Sequence, residues 1–229
     1  MYNEIRTYLV EIVQDMLKYG LLNIGGGAIG YRCNENHILI TTTGSAFRRW
    51  KITEKDFIVA DNNGKIVEQT GNLGATGVPI ILDIFREIPN CNAIVHSHAE
   101  YSHALASIKM SIPHNCHLLD TLGEVPCLVT DDFKIKNDFL KNPTSVEIPD
   151  AMVQRKDVAD VYINHILPQI KTLIYPRKEE LQRHGLAFTL YRHGVYVLAR
   201  NIDEAVENLN RVESSARAFI YSSIVNNAK

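Results

Sequence analysis

The sequence predicts an α/β sandwich built on a mixed or mostly antiparallel sheet, and three observations carry the prediction. Segments with helical and with strand periodicity alternate along the chain. Two short apolar runs flank Asn63-Gly64, a hairpin signal. No internal repeat or low-complexity tract interrupts the pattern. Hairpins and short links argue against a doubly wound Rossmann sheet, whose parallel strands need helical crossovers. With 229 residues, 45% of them apolar and 22% charged, the composition is that of an ordinary globular chain. One domain over 1–229 is the simplest organisation.

The elements follow in order. Residues 3–19 have apolar positions near helical spacing (Ile5, Leu9, Ile12, Val13, Met16, Leu17), with Asn3 as the expected N-cap. The run NIGGGAIGYR holds three consecutive glycines, where the backbone must turn sharply or approach another group closely. NHILITTTGS reads as a β-branched strand entering a Thr/Gly turn, and FIVADNNGKIVEQ as a hairpin. PIILDIFREI (79–88) reads as a helix with Pro79 in its first turn, which tolerates proline. AIVHSH (93–98) reads as a strand, followed almost at once by the helix AEYSHALASIK, and CLVTDD (127–132) as a further short strand. The polar stretch from Lys134 to Asp150 reads as a surface loop, and residues 157–170 as a helix with Pro168 near its end. AFTLYRHGVYVLA (187–199) gives two strand-like runs broken at His193-Gly194. A long helix closes the chain from Ile202 to about Ile224, with Asn201 as N-cap and Glu204 at the capping-box position.

Net charge is −2 and the pI about 6.5, and no basic run is longer than RRWK, so neither nucleic acid nor an anionic membrane is an expected partner. The first twenty residues lack the basic and purely apolar regions of a signal peptide, and acids and Lys18 interrupt every apolar run. Cys33, Cys91, Cys116 and Cys127 lie far apart without CxxC spacing, as reduced thiols do. A cytoplasmic location is the expectation.

The chemistry is concentrated in AIVHSHAEYSHALA. Side chains two apart on a strand share a face, so His96 and His98 project together from the end of an apolar strand. Two imidazoles held in this way suit a metal with nitrogen ligands. His193 is the best third ligand, because it ends a strand-like run and Gly194 lets the backbone bend beside it. Three protein ligands leave a position open for water or substrate, the catalytic arrangement. An HxH pair alone is weak evidence, since hydrogen-bonded structural histidines are common. His37, His165 and His184 read as structural. His114 and His117 flank Cys116 in a spacing compatible with metal, and His103 follows on the next helix within reach of the site's surroundings.

With these segments in view, the chain resembles the class II aldolase/adducin family, which includes fuculose-phosphate aldolase, ribulose-phosphate 4-epimerase and methylthioribulose-phosphate dehydratase. The resemblance rests on several stretches in family order. They are GLLNIGGGAIGYR, ILITTTGSAFRRWKITEKDFIVADNNGKIVE, IPNCNAIVHSHAEYSHALA and RHGVYVLARNIDEAVENLNRVESSARAFI. It covers most of the chain and is weakest around 111–183. It implies a three-layer α/β/α sandwich with a central, mainly antiparallel sheet. It implies a divalent ion (zinc, or Fe2+ or Mn2+) on His96, His98 and His193, and a homotetramer with sites at subunit interfaces. Thr43 and Gly44 fall where the family's aldolases bind substrate phosphate, a role for backbone N–H groups, and Thr76 falls in the same substrate region.

The departures from the family pattern are informative. The family's acidic residue, set within a Ser-Ser-Glu element, corresponds to Gly77, and Ala75 and Thr76 stand where the serines would be. The Asn of the Gly-rich segment corresponds to Ala28. Glu100 is then the nearest acid in sequence, either an acid/base or fourth ligand, or a solvated residue favoured in the first turn of a helix. Tyr191 would share the face of His193 on a regular strand and supply a phenol proton, or simply pack. By resemblance to the C-terminal tyrosines of the aldolases, Tyr221 is expected to reach a neighbouring subunit's site.

The leading expectation is a metal-dependent lyase, aldolase- or dehydratase-like, acting through a metal-stabilised enediolate on a small hydroxylated carbonyl compound or sugar phosphate. A decarboxylase or non-haem iron oxygenase on the same fold is the alternative, and a non-catalytic adducin-like binding protein the third.

Overall fold

The computed structural model describes residues 1–23, 26–42, 49–69, 78–129 and 162–227. Helix α1 spans Asn3–Lys18. Strands β1 (Gly27–Arg32), β2 (His37–Thr41), β3 (Phe57–Asp61) and β4 (Ile66–Glu68) follow. Next come α2 (Val78–Glu87), β5 (Ala93–Ser97), α3 (Glu100–Ser107) and the two-residue β6 (Cys127–Leu128). A wide turn at Tyr162–Ile166 leads into α4 (Leu167–Leu173) and a tight 3-10 stretch, Tyr175–Gln182. Strands β7 (Leu186–Leu190) and β8 (Gly194–Ala199) and helix α5 (Ile202–Asn227) complete the chain.

The strands form one sheet in the order β4-β3-β2-β1-β5-β8-β7-β6. Every pairing is antiparallel except β6 with β7. Both faces are covered, which is why the strands read as nearly continuous apolar runs and not as alternating ones. One face carries Ile38, Ile40, Ile94, Phe188 and Leu198 against α2 and α4. The other carries Leu39, Val59, Val95 and Val197 against α1, α3 and α5. The three-layer sandwich is thus realised as expected. Each fully buried large side chain in these layers contributes about 1.5–3 kcal/mol.

The edge of the sheet is tied down by a residue that hydropathy passes over. Arg6 on α1 is only 2% exposed. It donates to the carbonyls of Met1 (2.9 Å), Glu54 (2.7 Å) and Phe57 (2.7 Å), and to the Glu68 carboxylate (2.8 Å). A buried charge persists because every side of it is paired.

Local signals hold in most places and fail in instructive ones. The 61–66 hairpin closes as predicted, with the Asp61 carboxylate accepting the N–H groups of Asn63 (2.8 Å) and Lys65 (2.9 Å). Asn201 caps α5 through Glu204 N–H at 2.9 Å, but the Glu204 carboxylate reaches back to Arg200 N–H (2.8 Å), not to the cap residue. Asn3 is not the N-cap of α1. Tyr2 holds that position in a left-handed conformation, without a side-chain cap. Pro168 lies in the first turn of α4, where its missing N–H and fixed φ are tolerated, and not near a helix end. The predicted 134–150 loop and residues 157–161 of the predicted 157–170 helix lie outside the described residues; 162–170 is helical, and the helix runs on to Leu173.

Candidate metal centre

Three imidazoles converge where β5, β8 and the β7–β8 turn meet. His96 is near the end of β5, paired across the sheet with Ala28 on one side and Tyr196 on the other. His98 follows one residue beyond the strand, on the same face. His193 is not at a strand end but in the tight turn between β7 and β8, where Arg192 adopts φ +57°. The ligand nitrogens of His96, His98 and His193 all lie within 4.8 Å of one another. Among the described residues no other three His, Cys, Asp or Glu converge in this way.

The geometry suits a metal. Tetrahedral zinc with nitrogens about 2.05 Å away sets them roughly 3.3 Å apart, and the Nε2 atoms of His96 and His98 are 3.1 Å apart. His96 Nδ1 lies 3.0 Å from the Val195 carbonyl oxygen. A carbonyl only accepts, so Nδ1 carries the proton and Nε2 keeps its lone pair toward His98 and His193. Burial is the main reason His96 is held well below the usual imidazole value, followed by its two histidine neighbours. His193 is lowered to about 3, by burial first and then by His98 and His103. Both are therefore neutral near pH 7, the state a metal requires.

Ring stacking orients the cluster. The His193 and His96 rings are parallel to within 3° with centroids 4.9 Å apart. Tyr196 stacks on the far side of His96 at 4.1 Å, and Phe188 on Tyr196 at 5.1 Å.

The backbone beneath is clamped. The Asn23 amide donates to the His98 carbonyl, and the Trp50 indole donates to the Asn23 carbonyl at 2.8 Å. Ser97 Oγ donates to the Leu21 carbonyl and accepts the Ala99 N–H at 3.0 Å. Two glycines permit the close approach. A Cβ on Gly26 (φ +151°) would lie 2.5 Å from the His98 ring, and one on Gly194 (φ +144°) 2.3 Å from the Ser97 carbonyl oxygen. Helix α3 has no side-chain cap at Ala99. The buried Glu213 on α5 replaces it, accepting the N–H groups of Tyr101 (2.6 Å) and Ser102 (2.9 Å).

The other predicted residues fall in various places. Glu100 is exposed in the first turn of α3, outside the converging ligand atoms. The strand does not stay regular at Tyr191, which opens the turn with Lys109 Nζ 4.8 Å from its ring centroid. His103 approaches His98, with ring centroids 5.8 Å apart. His114 binds Asp120 (2.7 Å) and Cys116 binds Ser215 (3.2 Å), so the HNCH run points to structural contacts. Tyr221 meets Tyr101, hydroxyl to hydroxyl at 2.9 Å. Thr43, Gly44 and Thr76 lie outside the described residues, as do Ala75 and Gly77. Tyr196, Asn23, Ser97 and Glu213 carried no sequence signal of their own, because each acts through a partner distant in the chain.

Comparison with known proteins identifies the family to which this fold belongs. Residues 7–220 match the model for the class II aldolase and adducin N-terminal domain, and the chain belongs to that family. It is 27% identical over 127 residues to L-fuculose phosphate aldolase of Escherichia coli (strain K12), an alignment covering 55% of this chain and 57% of that protein. The chain thus spans little more than half the length of that relative. It is 24% identical over 214 residues to 3-oxo-tetronate 4-phosphate decarboxylase of Haemophilus influenzae, covering 93% of this chain and 86% of the relative. It is 21% identical over 218 residues to L-ribulose-5-phosphate 4-epimerase UlaF of Salmonella paratyphi B, covering 93% and 83%. The structure of L-fuculose-1-phosphate aldolase from Thermus thermophilus shares the fold, with a TM-score of 0.64 at 19% identity over 98% of this chain and 97% of that one. Among the described residues, no helix is long and apolar enough to cross a membrane.

Proposed function

We propose that this chain is a divalent-metal-dependent lyase acting on a small hydroxylated carbonyl compound, most simply a sugar phosphate. The observation that carries the reading is the convergence of the His96, His98 and His193 nitrogens within 4.8 Å. His96, His98 and His193 would hold the ion, zinc by the all-nitrogen donor set, with Fe2+ or Mn2+ as alternatives. When bound, such an ion supplies Lewis-acid polarisation of substrate oxygens.

The chain's own groups do the rest. His96 presents Nε2 because its Nδ1 proton is held by Val195, and the Tyr196 ring keeps the imidazole from rotating. Retro-aldol cleavage needs a group that takes a hydroxyl proton and one that returns a proton to carbon. Glu100, beside the metal strand, is the proposed acid/base, and Tyr191 the proposed phenol donor. Thr43, Gly44 and Thr76 are the proposed phosphate contacts. The three relatives described above are all named for phosphate-bearing, sugar-derived substrates, which supports this substrate class. A cytoplasmic homotetramer is part of the same reading.

Decarboxylation is the second reading. It is favoured by Gly77 at the position of the family's acid, and by a relative named as a decarboxylase that aligns over 93% of the chain. One experiment tests both. The purified protein is analysed for metal and assayed with ketose phosphates for aldehyde release and with phosphorylated 3-oxo acids for carbon dioxide release. His96→Ala should lose both metal and turnover. Turnover that survives complete metal loss would sink both readings.

A further inference from the structure

The end of the sheet away from the histidines holds a cleft of about 650 Å³, the size of a small-molecule site. Arg32, Arg86 and Arg200 line it, together with Asn62, Asn92 and Phe85. Arg32 ends β1, Asn92 precedes β5 and Arg200 follows β8, whereas His96 is near the opposite ends of the same strands. Four residues of extended chain separate Asn92 from His96, about 13 Å. The cleft is therefore distinct from the metal centre.

The charges in the cleft are unbalanced. Arg32 is half-buried, donating from Nε to the Cys91 carbonyl at 3.2 Å and from Nη2 to the Phe85 carbonyl, with its guanidinium 4.9 Å from the Phe85 ring centroid. Carbonyls and a ring orient the guanidinium but do not neutralise it. Among the described residues no carboxylate pairs with Arg32 or with Arg86, whose Nε donates only to the Leu82 carbonyl at 3.3 Å. Desolvation lowers the Arg32 pKa, as expected of a charge whose counter-ion is not supplied by the protein. Arg200 is already paired with Glu204 at 2.6 Å. Glu35 also lines the cleft, yet it is exposed and makes no ion pair with these arginines among the described residues. Asn62 Oδ1 is buried without a hydrogen-bond partner, an acceptor suited to a ligand hydroxyl. Cys33 is the cleft's one thiol, and burial raises it to about 11, too high for a nucleophile near neutral pH. The chemistry on offer is binding.

We propose that this cleft binds a small hydroxylated anion, carrying a phosphate or carboxylate group, through the Arg32 and Arg86 guanidinia. Two guanidinium forks without protein counter-ions match the planar or tetrahedral oxygens of such a group. The ligand would supply the negative charge that the half-buried Arg32 lacks. The site stands independently of the lyase reading.

The test is isothermal titration calorimetry on the full chain at constant ionic strength, with inorganic phosphate in one arm and succinate in the other, so that the arms separate the two chemistries. The proteins are wild type, Arg86→Gln, Arg32→Gln/Arg86→Gln, and His96→Ala. Arg86 is exposed, so its substitution leaves the fold intact even if the change at Arg32 does not. We expect saturable binding of at least one anion, about tenfold weaker in Arg86→Gln, lost in the double variant and unchanged in His96→Ala. No saturable binding of either anion, binding unaffected by Arg86→Gln, or binding that disappears in His96→Ala would overturn the proposal.

Discussion

The Glu213 carboxylate on α5 accepts the Ser102 N–H of α3 at 2.9 Å, across 111 residues of sequence. Its other oxygen takes Tyr101 N–H. The start of α3, two residues beyond His98, is thus held by the last helix of the chain and not by a cap of its own. A buried carboxylate at a helix N-terminus gains from the helix dipole and satisfies orphan donors.

Glu213→Ala should therefore lower stability by about 2–4 kcal/mol, since two buried N–H groups lose their acceptor. Chemical denaturation gives the magnitude. Glu213→Gln, which keeps one acceptor oxygen, should recover part of it. Equal stability of Glu213→Ala and wild type would show that the cap contributes nothing.

Tyr196→Leu should weaken metal binding by about tenfold or more, because the ring that fixes the His96 imidazole is lost. Tyr196→Phe keeps the column Phe188–Tyr196–His96–His193 and should keep the affinity. Competition with a chromogenic chelator measures both. If the leucine and phenylalanine variants bind alike, stacking does not orient His96.

Gly194→Ala should be among the most damaging single changes. The φ of +144° is strained for any side chain, and the new Cβ would lie 2.3 Å from the Ser97 carbonyl oxygen. Backbone strain alone costs about 1–3 kcal/mol, and relief by moving the turn would displace His193. A soluble Gly194→Ala protein with wild-type melting temperature and full metal content would contradict this account.

The metal-free protein should lose stability in acid. His193 titrates near 3 when folded and about 6.5 when unfolded, and His96 is shifted the same way. The unfolded state thus binds more protons as the pH falls. This contribution is fully present above about pH 6.5 and is lost as the pH falls toward 3. Urea midpoints of the metal-free protein should decline between about pH 7 and pH 5, and His193→Gln should flatten the decline. The same slope in wild type and variant would place the acid sensitivity elsewhere.

Much of this was legible in the sequence because it is local. Period-two alternation puts His96 and His98 on one face, and Asn63-Gly64 and Asn201 act within a few residues of themselves. Other features were not, for a common reason. Arg6 reads as a surface residue of an amphipathic helix until Glu54, Phe57 and Glu68 close around it. Pro168 reads as lying near a helix end, and only the turns that continue after it to Leu173 show it in a first turn. Glu213 looks like one more acid on the final helix, and Tyr196 like one more core aromatic. Their roles are set by contacts about a hundred residues away, and a single sequence carries no mark of those pairings. For Thr43, Gly44 and Thr76 the family resemblance remains the basis of their assignment.

Trp50 is the chain's single tryptophan, fully buried, and its indole N–H is tied to the Asn23 carbonyl while the Asn23 side chain holds the His98 carbonyl. Nature has thus wired one fluorophore to the histidine cluster through a single residue. Its emission can be followed without any label, and it reads out whether the cluster is assembled, loaded or coming apart.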